Sequence, residues 1–209
     1  MAFIDERIAF LEREARKQKE EERKKEQGGQ AQEAEVRMTL PEMLEAVREG
    51  SVVMADGERF EFEVRKALEE RIPMVLIRNI FTGIEENEGV GIFVDHDRGI
   101  SQMLTMADKP MDEESTGKWK QRIESGMQQV GTYAEVTKEL VLENLDYLVY
   151  RTPTGKGWLH NLIFRLHTGS RRVVGNYNCY EKDKDTYGLM LEAVLHRMNE
   201  LLSEPENEE

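Results

Sequence analysis

The side chains best suited to metal binding or nucleophilic chemistry in this 209-residue sequence are four histidines, His96, His160, His167 and His196, and one cysteine, Cys179. No two histidines stand four apart, the spacing that aims both rings of a helix at one metal. A single cysteine excludes an intramolecular disulfide and a cysteine-based zinc site. Cys179 alternates with Val173, Gly175 and Tyr177, so it reads as a buried structural thiol rather than an activated nucleophile. Asp95-His96-Asp97-Arg98-Gly99 puts an imidazole between two carboxylates. It lacks the glycine and closing glutamate of a calcium loop, and it reads as a turn held by Asx-type hydrogen bonds.

Three further patterns fail on spacing. Pro153-Thr154-Gly155-Lys156-Gly157 lacks the phosphate-loop pattern and is followed by no helix, so it reads as a hairpin loop. Gly89-Val90-Gly91 lacks a third glycine, and no G-x-S-x-G occurs. Carboxylates are too numerous for any pair to stand out as an acid–base couple. No catalytic residue, metal ligand or cofactor is therefore expected. His160 shares the apolar face of one strand with Trp158, Leu162, Phe164 and Leu166, and reads first as a core or rim histidine. Should the chain carry a pocket, it is expected between the hairpin at 60–64 and the strand at 158–167, with His160, Trp158 and Tyr177 as candidate pocket residues.

The formal net charge of −13 is unevenly spread. Residues 1–37 hold 10 acids and 9 bases, the segment 203–209 holds four acids and no base, and the middle carries −8. Such a surface repels phosphate backbones, so nucleic-acid binding is not expected. It suits a basic protein partner, and equally plain solubility. No apolar run reaches the 18 residues of a membrane span, so no membrane insertion is expected. The opening residues, Met1 to Arg7, are charged from Asp5 onward and have no signal-peptide pattern, which makes the cytoplasm the expected location. Most of the eleven methionines fall at core-like positions.

The elements that would position these residues follow from periodicity. Residues 3–26 predict a charged helix whose apolar stripe, Ile4, Ile8, Leu11 and Ala15, stops early. Ile4, Ile8 and Leu11 are candidate interaction residues, for docking, a partner helix or a short homo-oligomeric seam. Thr39 and Glu42 form a capping box for a second helix. Asp56-Gly57 predicts a hairpin with a type I′ turn, with Phe60, Phe62 and Val64 on one face. Strands follow at 74–81, 89–94 and 100–106. A helix at 112–129 carries Trp119, Ile123 and Met127 on one side. Four strands then run at 134–142, 147–152, 158–167 and 171–180, before a closing helix at 186–202. Loops this short force antiparallel pairing.

The fold class is therefore α+β: an antiparallel meander sheet packed with helices, preceded by a charged N-terminal helix. The chain divides into a helical arm and Gly-Gly linker (1–37), one α+β domain (38–202) and an acidic tail (203–209). This order of elements resembles the Mog1/PsbP-like fold, including the bacterial DcrB-type domains, over roughly residues 58–202. The Trp119 helix, Leu142-Glu143-Asn144-Leu145-Asp146 leading into Tyr147-Leu148-Val149-Tyr150, the strand from Trp158 to Leu166 and the last helix from Leu189 to Leu201 carry the likeness. The resemblance implies a non-enzymatic binding or assembly domain. The expected function is thus a non-catalytic interaction or accessory module of the bacterial cytoplasm, with a protein partner. The alternative is a small-ligand-binding protein or enzyme with a pocket lined by His160.

Overall fold

The computed structural model describes residue 17 and residues 38–68, 72–107, 114–167 and 172–204. Of the charged arm only Lys17 is described, and it is helical; Ile4, Ile8 and Leu11 lie outside the described residues. Helix α1 (Leu40–Glu49) opens at Thr39, whose backbone N–H and hydroxyl donate to the Glu42 carboxylate at 2.7 and 2.8 Å. That satisfies a helix-end donor which has no intrahelical partner. Gly50, left-handed at φ 86°, closes the helix.

Three strands follow as a small antiparallel sheet: β1 (Ser51–Val53), β2 (Arg59–Ala67) and β3 (Ile72–Arg78). The expected type I′ turn at Asp56-Gly57 does not form. That turn needs positive φ at both central residues, and Gly57 alone has it (φ 86°). The loop is longer instead. Gly57 N–H donates to the Met54 carbonyl, and the Asp56 carboxylate accepts the Glu58 N–H at 2.9 Å.

The second sheet has seven strands: β4 (Gly83–Glu86), β5 (Val90–Asp95), β6 (Ile100–Ala107), β7 (Glu135–Val141), β8 (Leu145–Thr154), β9 (Gly157–Leu166) and β10 (Arg172–Tyr180). Their order is β4-β5-β6-β10-β9-β8-β7 and every pair is antiparallel. The expected single meander is in fact two meanders joined through β6 and β10. Short loops settle pairing inside each meander; they say nothing about which edges meet. Helix α2 (Thr116–Gln129), capped by Ser115, comes between the two meanders in sequence.

Both faces of the large sheet are covered over β8, which is why eight consecutive residues, Leu145 to Thr152, are buried. On one face α2 packs Trp119, with Ile123 and Met127, against Val136, Leu148, Tyr150 and Ile163. The predicted stripe of that helix is its packed side. The other face carries α1, the small sheet and the last helix, α3 (Leu189–Ser203), in one core with Tyr147, Leu162, Phe164 and Tyr177. Gly175 is required there: a Cβ would lie 2.1 Å from the Phe164 ring and 2.8 Å from the Met103 carbonyl oxygen.

One side chain ties the sheets together. Gln102 on β6 is fully buried. Its Nε2 donates to the Val75 carbonyl at 3.0 Å, and its Oε1 accepts the Ile77 N–H at 3.2 Å. Both partners belong to β3, the edge strand of the small sheet. The amide therefore stands in for a neighbouring strand at an edge sealed from water. Replacing Gln102 with Leu would leave two buried backbone groups without partners, at a cost of about 2–4 kcal/mol. Urea unfolding monitored by far-UV circular dichroism should show that loss with an unchanged m-value; a loss below about 1 kcal/mol would mean that the sheets are held in some other way.

Candidate functional site

Trp158 begins the inward-facing row of β9 and pairs in register with Pro153 across the β8–β9 hairpin. Its ring is held on two sides. The edge of Tyr133 meets it at 6.0 Å between centroids and 84° between planes, and the Arg151 guanidinium lies 5.5 Å from its centroid. Arg151 is anchored by Glu135 at 3.1 Å. Tyr180 ends β10 with its ring laid over Gly99, where a Cβ would come within 2.2 Å of it, and the Lys182 ammonium lies 5.7 Å from its centroid.

Between the hairpin tip and the end of β10 lies a groove of about 440 Å³, open to solvent on one side. Lys156, Gly157 and Trp158 form one wall, and Tyr180, Glu181 and Lys182 form the other. Glu181 starts a 3-10 turn (Glu181–Asp183) that passes through a π turn (Lys184–Gly188) into α3. The sequence predicts a plain helix from Thr186. The wider turn seats Gly188 against the His160 ring, where a Cβ would stand 3.0 Å away. A π turn beside a groove is a frequent companion of functional sites.

Glu181 is 8% exposed. Lys184 donates to its Oε1 at 3.1 Å, and His160 Nδ1 stands 3.4 Å from its Oε2, an oxygen with no hydrogen bond. Burial opposes its ionisation, but the His160 ring and the Lys184 ammonium outweigh that cost and hold the carboxyl below its ordinary value. The candidate pocket residues are thus separated in depth. Trp158 lines the groove, and His160 sits behind it on Glu181. Tyr177 is fully buried in the core, with its ring 4.8 Å from Phe164. The hairpin at 60–64 contributes nothing to the groove's lining, since Phe60 packs on Tyr187 instead.

The other buried charges are also matched. Arg165 lies 4.7 Å over the Trp119 ring and donates to Asp146 through Nε and Nη2 at 3.0 and 2.8 Å. Burial works against the Asp95 carboxylate. The Arg98 and Asp97 backbone N–H groups and the Arg98 guanidinium outweigh it and lower the pKa. These bonds are the Asx turn read from the sequence around His96. Burial pushes the Cys179 thiol well above its ordinary range, and Asp183 and Glu181 add to the effect. Among the described residues no cluster of three or more His, Cys, Asp or Glu is arranged to hold a metal ion.

A third cluster joins α3 to the large sheet. Tyr147 donates its hydroxyl to Glu192, which also pairs with Lys138. With its proton so placed, the hydroxyl accepts from His196 Nε2 at 3.1 Å. Burial lowers the His196 pKa and Lys138 reinforces it, while Glu192 and Glu200 pull the other way.

No protein-family model matches this sequence, and no curated protein matches it. Solved structures do. The fold is Mog1/PsbP-like. The cyanobacterial PsbP of Synechocystis sp. PCC 6803, CyanoP, is 15% identical, with a TM-score of 0.51 over 65% of this chain and 89% of its own. PA94, a Pseudomonas aeruginosa protein of unknown function, aligns over 69% of this chain and 98% of its own at 10% identity, with a TM-score of 0.44. At such identities the likeness speaks for the fold alone.

Tyr180, Glu181, Lys156 and Lys182 are not candidates on sequence grounds: Lys156 reads as a hairpin-loop residue, and the other three carry no motif. The signal present is an aromatic strand end followed at once by alternating charge.

Two measurements check the electrostatics. An unfolded chain takes up a proton at His196 near its ordinary value of 6.5, whereas the folded chain resists it. Stability should therefore fall as pH drops through about 6.5 towards the lower folded value, and His196→Gln should flatten that slope in urea titrations between about pH 7.5 and 5.5. Cys179 should resist a thiol reagent in the native protein at about pH 8 and react fully once the chain is unfolded in urea; rapid native labelling would contradict its burial.

Proposed function

We propose that this chain is a non-catalytic protein-interaction module that works as an accessory component in the bacterial cytoplasm. The observation that carries the reading is the state of its buried charges. Asp95, Asp146, Arg151, Arg165 and Glu181 are all largely withdrawn from water, and each has an opposite charge within the fold. Catalytic acids and bases are usually held off balance so that they can exchange protons with a bound substrate. Groups that are neutralised at home serve packing instead.

The fold is compatible with this reading, and no helix among the described residues is long and apolar enough to cross a membrane. An overall charge of −13 steers a basic protein partner by long-range attraction, which salt screens beyond about 10 Å. The groove at Trp158 and Tyr180 favours a second reading, a small-ligand protein, because its volume of about 440 Å³ falls within the usual range for such sites.

Native mass spectrometry of the full chain, captured from extract at about 50 and 300 mM salt, separates the two. The interaction reading expects a polypeptide bound at defined stoichiometry that is lost at high salt. A chain that carries no polypeptide at either salt, but retains a molecule of a few hundred daltons, would establish the small-ligand reading in its place.

A further inference from the structure

The balance of charge is reversed at one place on this acidic chain. Around the groove between the β8–β9 hairpin tip and the end of β10, Lys156, Lys182 and Lys184 outnumber Glu181 and Asp183, although the whole chain carries −13. Glu181, the carboxylate in the lining, is buried and already engaged by Lys184 and by His160 behind it. Lys156, on one wall, is exposed. Lys182, on the other, is 78% exposed, with its ammonium 3.9 Å from an Asp183 oxygen. An anion in the mouth of the groove therefore has an ammonium group on either side.

Between the two lysines the walls are aromatic. Trp158 and Tyr180 are both half-buried, so each keeps part of its ring accessible. Both rings are braced from behind: Tyr133 and Arg151 hold Trp158, and Tyr180 lies on Gly99. Braced rings lose little entropy when a flat ligand settles against them. The volume of about 440 Å³ lies towards the lower end of the range for small-molecule sites, which suits a compact occupant. A lysine ammonium is a point charge with rotatable donors, and unlike an arginine fork it does not read the shape of an anion. Such a site selects negative charge beside a ring, with little preference between a carboxylate and a sulfonate.

We propose, resting on the small-ligand reading of this groove, that it binds small planar aromatic anions. The ring lies against Trp158 and Tyr180, and the negative group sits between Lys156 and Lys182. A neutral aromatic forfeits the lysines, and an aliphatic anion forfeits the rings. Cations are repelled at the rim, and long polyanions are opposed by the rest of the acidic surface.

The test is an NMR titration of the full chain that follows the Trp158 indole N–H and the backbone amides of Tyr180 and Lys182. Naphthoate and naphthalenesulfonate should shift these signals saturably, with Kd on the order of 100 µM, and leave the buried Trp119 indole unmoved. Naphthalenemethanol, which lacks the charge, and cyclohexanecarboxylate, which lacks the aromatic ring, should bind about fivefold more weakly or worse. Trp158→Ala should weaken naphthoate binding by about fivefold or more, read at Tyr180. Lys156→Glu with Lys182→Glu, a change confined to exposed side chains, should do the same with unchanged thermal melting. No saturation up to about 2 mM, or equal binding of the neutral alcohol or by the double-lysine variant, overturns the assignment. If naphthoate fails while the chain still retains another small molecule from extract, this ligand class falls and the small-ligand reading stands. If neither is bound, both fall.

Discussion

Much of this architecture depends on how one buried amide, Gln102, completes the edge of another sheet. A three-stranded sheet has two edges, and each presents unpaired N–H and C=O groups. Here the edge strand β3 is turned into the core, where unpaired backbone groups carry a heavy penalty. The Gln102 side chain supplies one acceptor and one donor in the spacing of a strand, so Val75 and Ile77 are satisfied without a further strand. An aliphatic residue of the same size would fill the space and leave both groups orphaned.

Consequences follow from that anchor. With the small sheet fixed over β6, its neighbour α3 takes the ground over β7, β8 and β9, where Tyr147, Glu192, Lys138 and His196 join helix to sheet. Helix α1 then packs on α3, and Arg48 reaches Glu200 across their meeting. The start of α3 is drawn towards β9, so that Gly188 meets His160 and the preceding turns present Tyr180, Glu181 and Lys182 opposite Trp158. The aromatic groove is thus a by-product of seating one helix against two sheets. Its floor acid is paired with Lys184, and its Trp158 wall is braced by Arg151 and Tyr133.

The acidity of the chain sits mainly outside this framework. The buried carboxylates are each consumed by a cation or by backbone donors, so they contribute to specificity of packing and little to the external field. The exposed ones set the chain's external field, which is the field the proposed function relies on.

What the sequence determined by itself was local. Thr39 and Glu42 predict their capping box because they stand only three positions apart. Trp119, Ile123 and Met127 predict the packed side of α2 because helical period alone aligns them, and Asp95 predicts its turn because its partners are two and three residues away. The alternation of Trp158, His160, Leu162, Phe164 and Leu166 likewise predicts one inward face. The tertiary structure decided everything that compares distant segments. It decided that β6 meets β10, that Gln102 serves β3, that Tyr177 sinks into the core while Trp158 stays at the groove, and that Tyr180 and Lys156, far apart in sequence, form opposite walls. It also corrected the Asp56-Gly57 turn, whose two-residue form was the local favourite. The physical reason is common to all of these. Period and capping are written in neighbouring residues, but burial depth and edge pairing depend on which surfaces are covered once every element is in place.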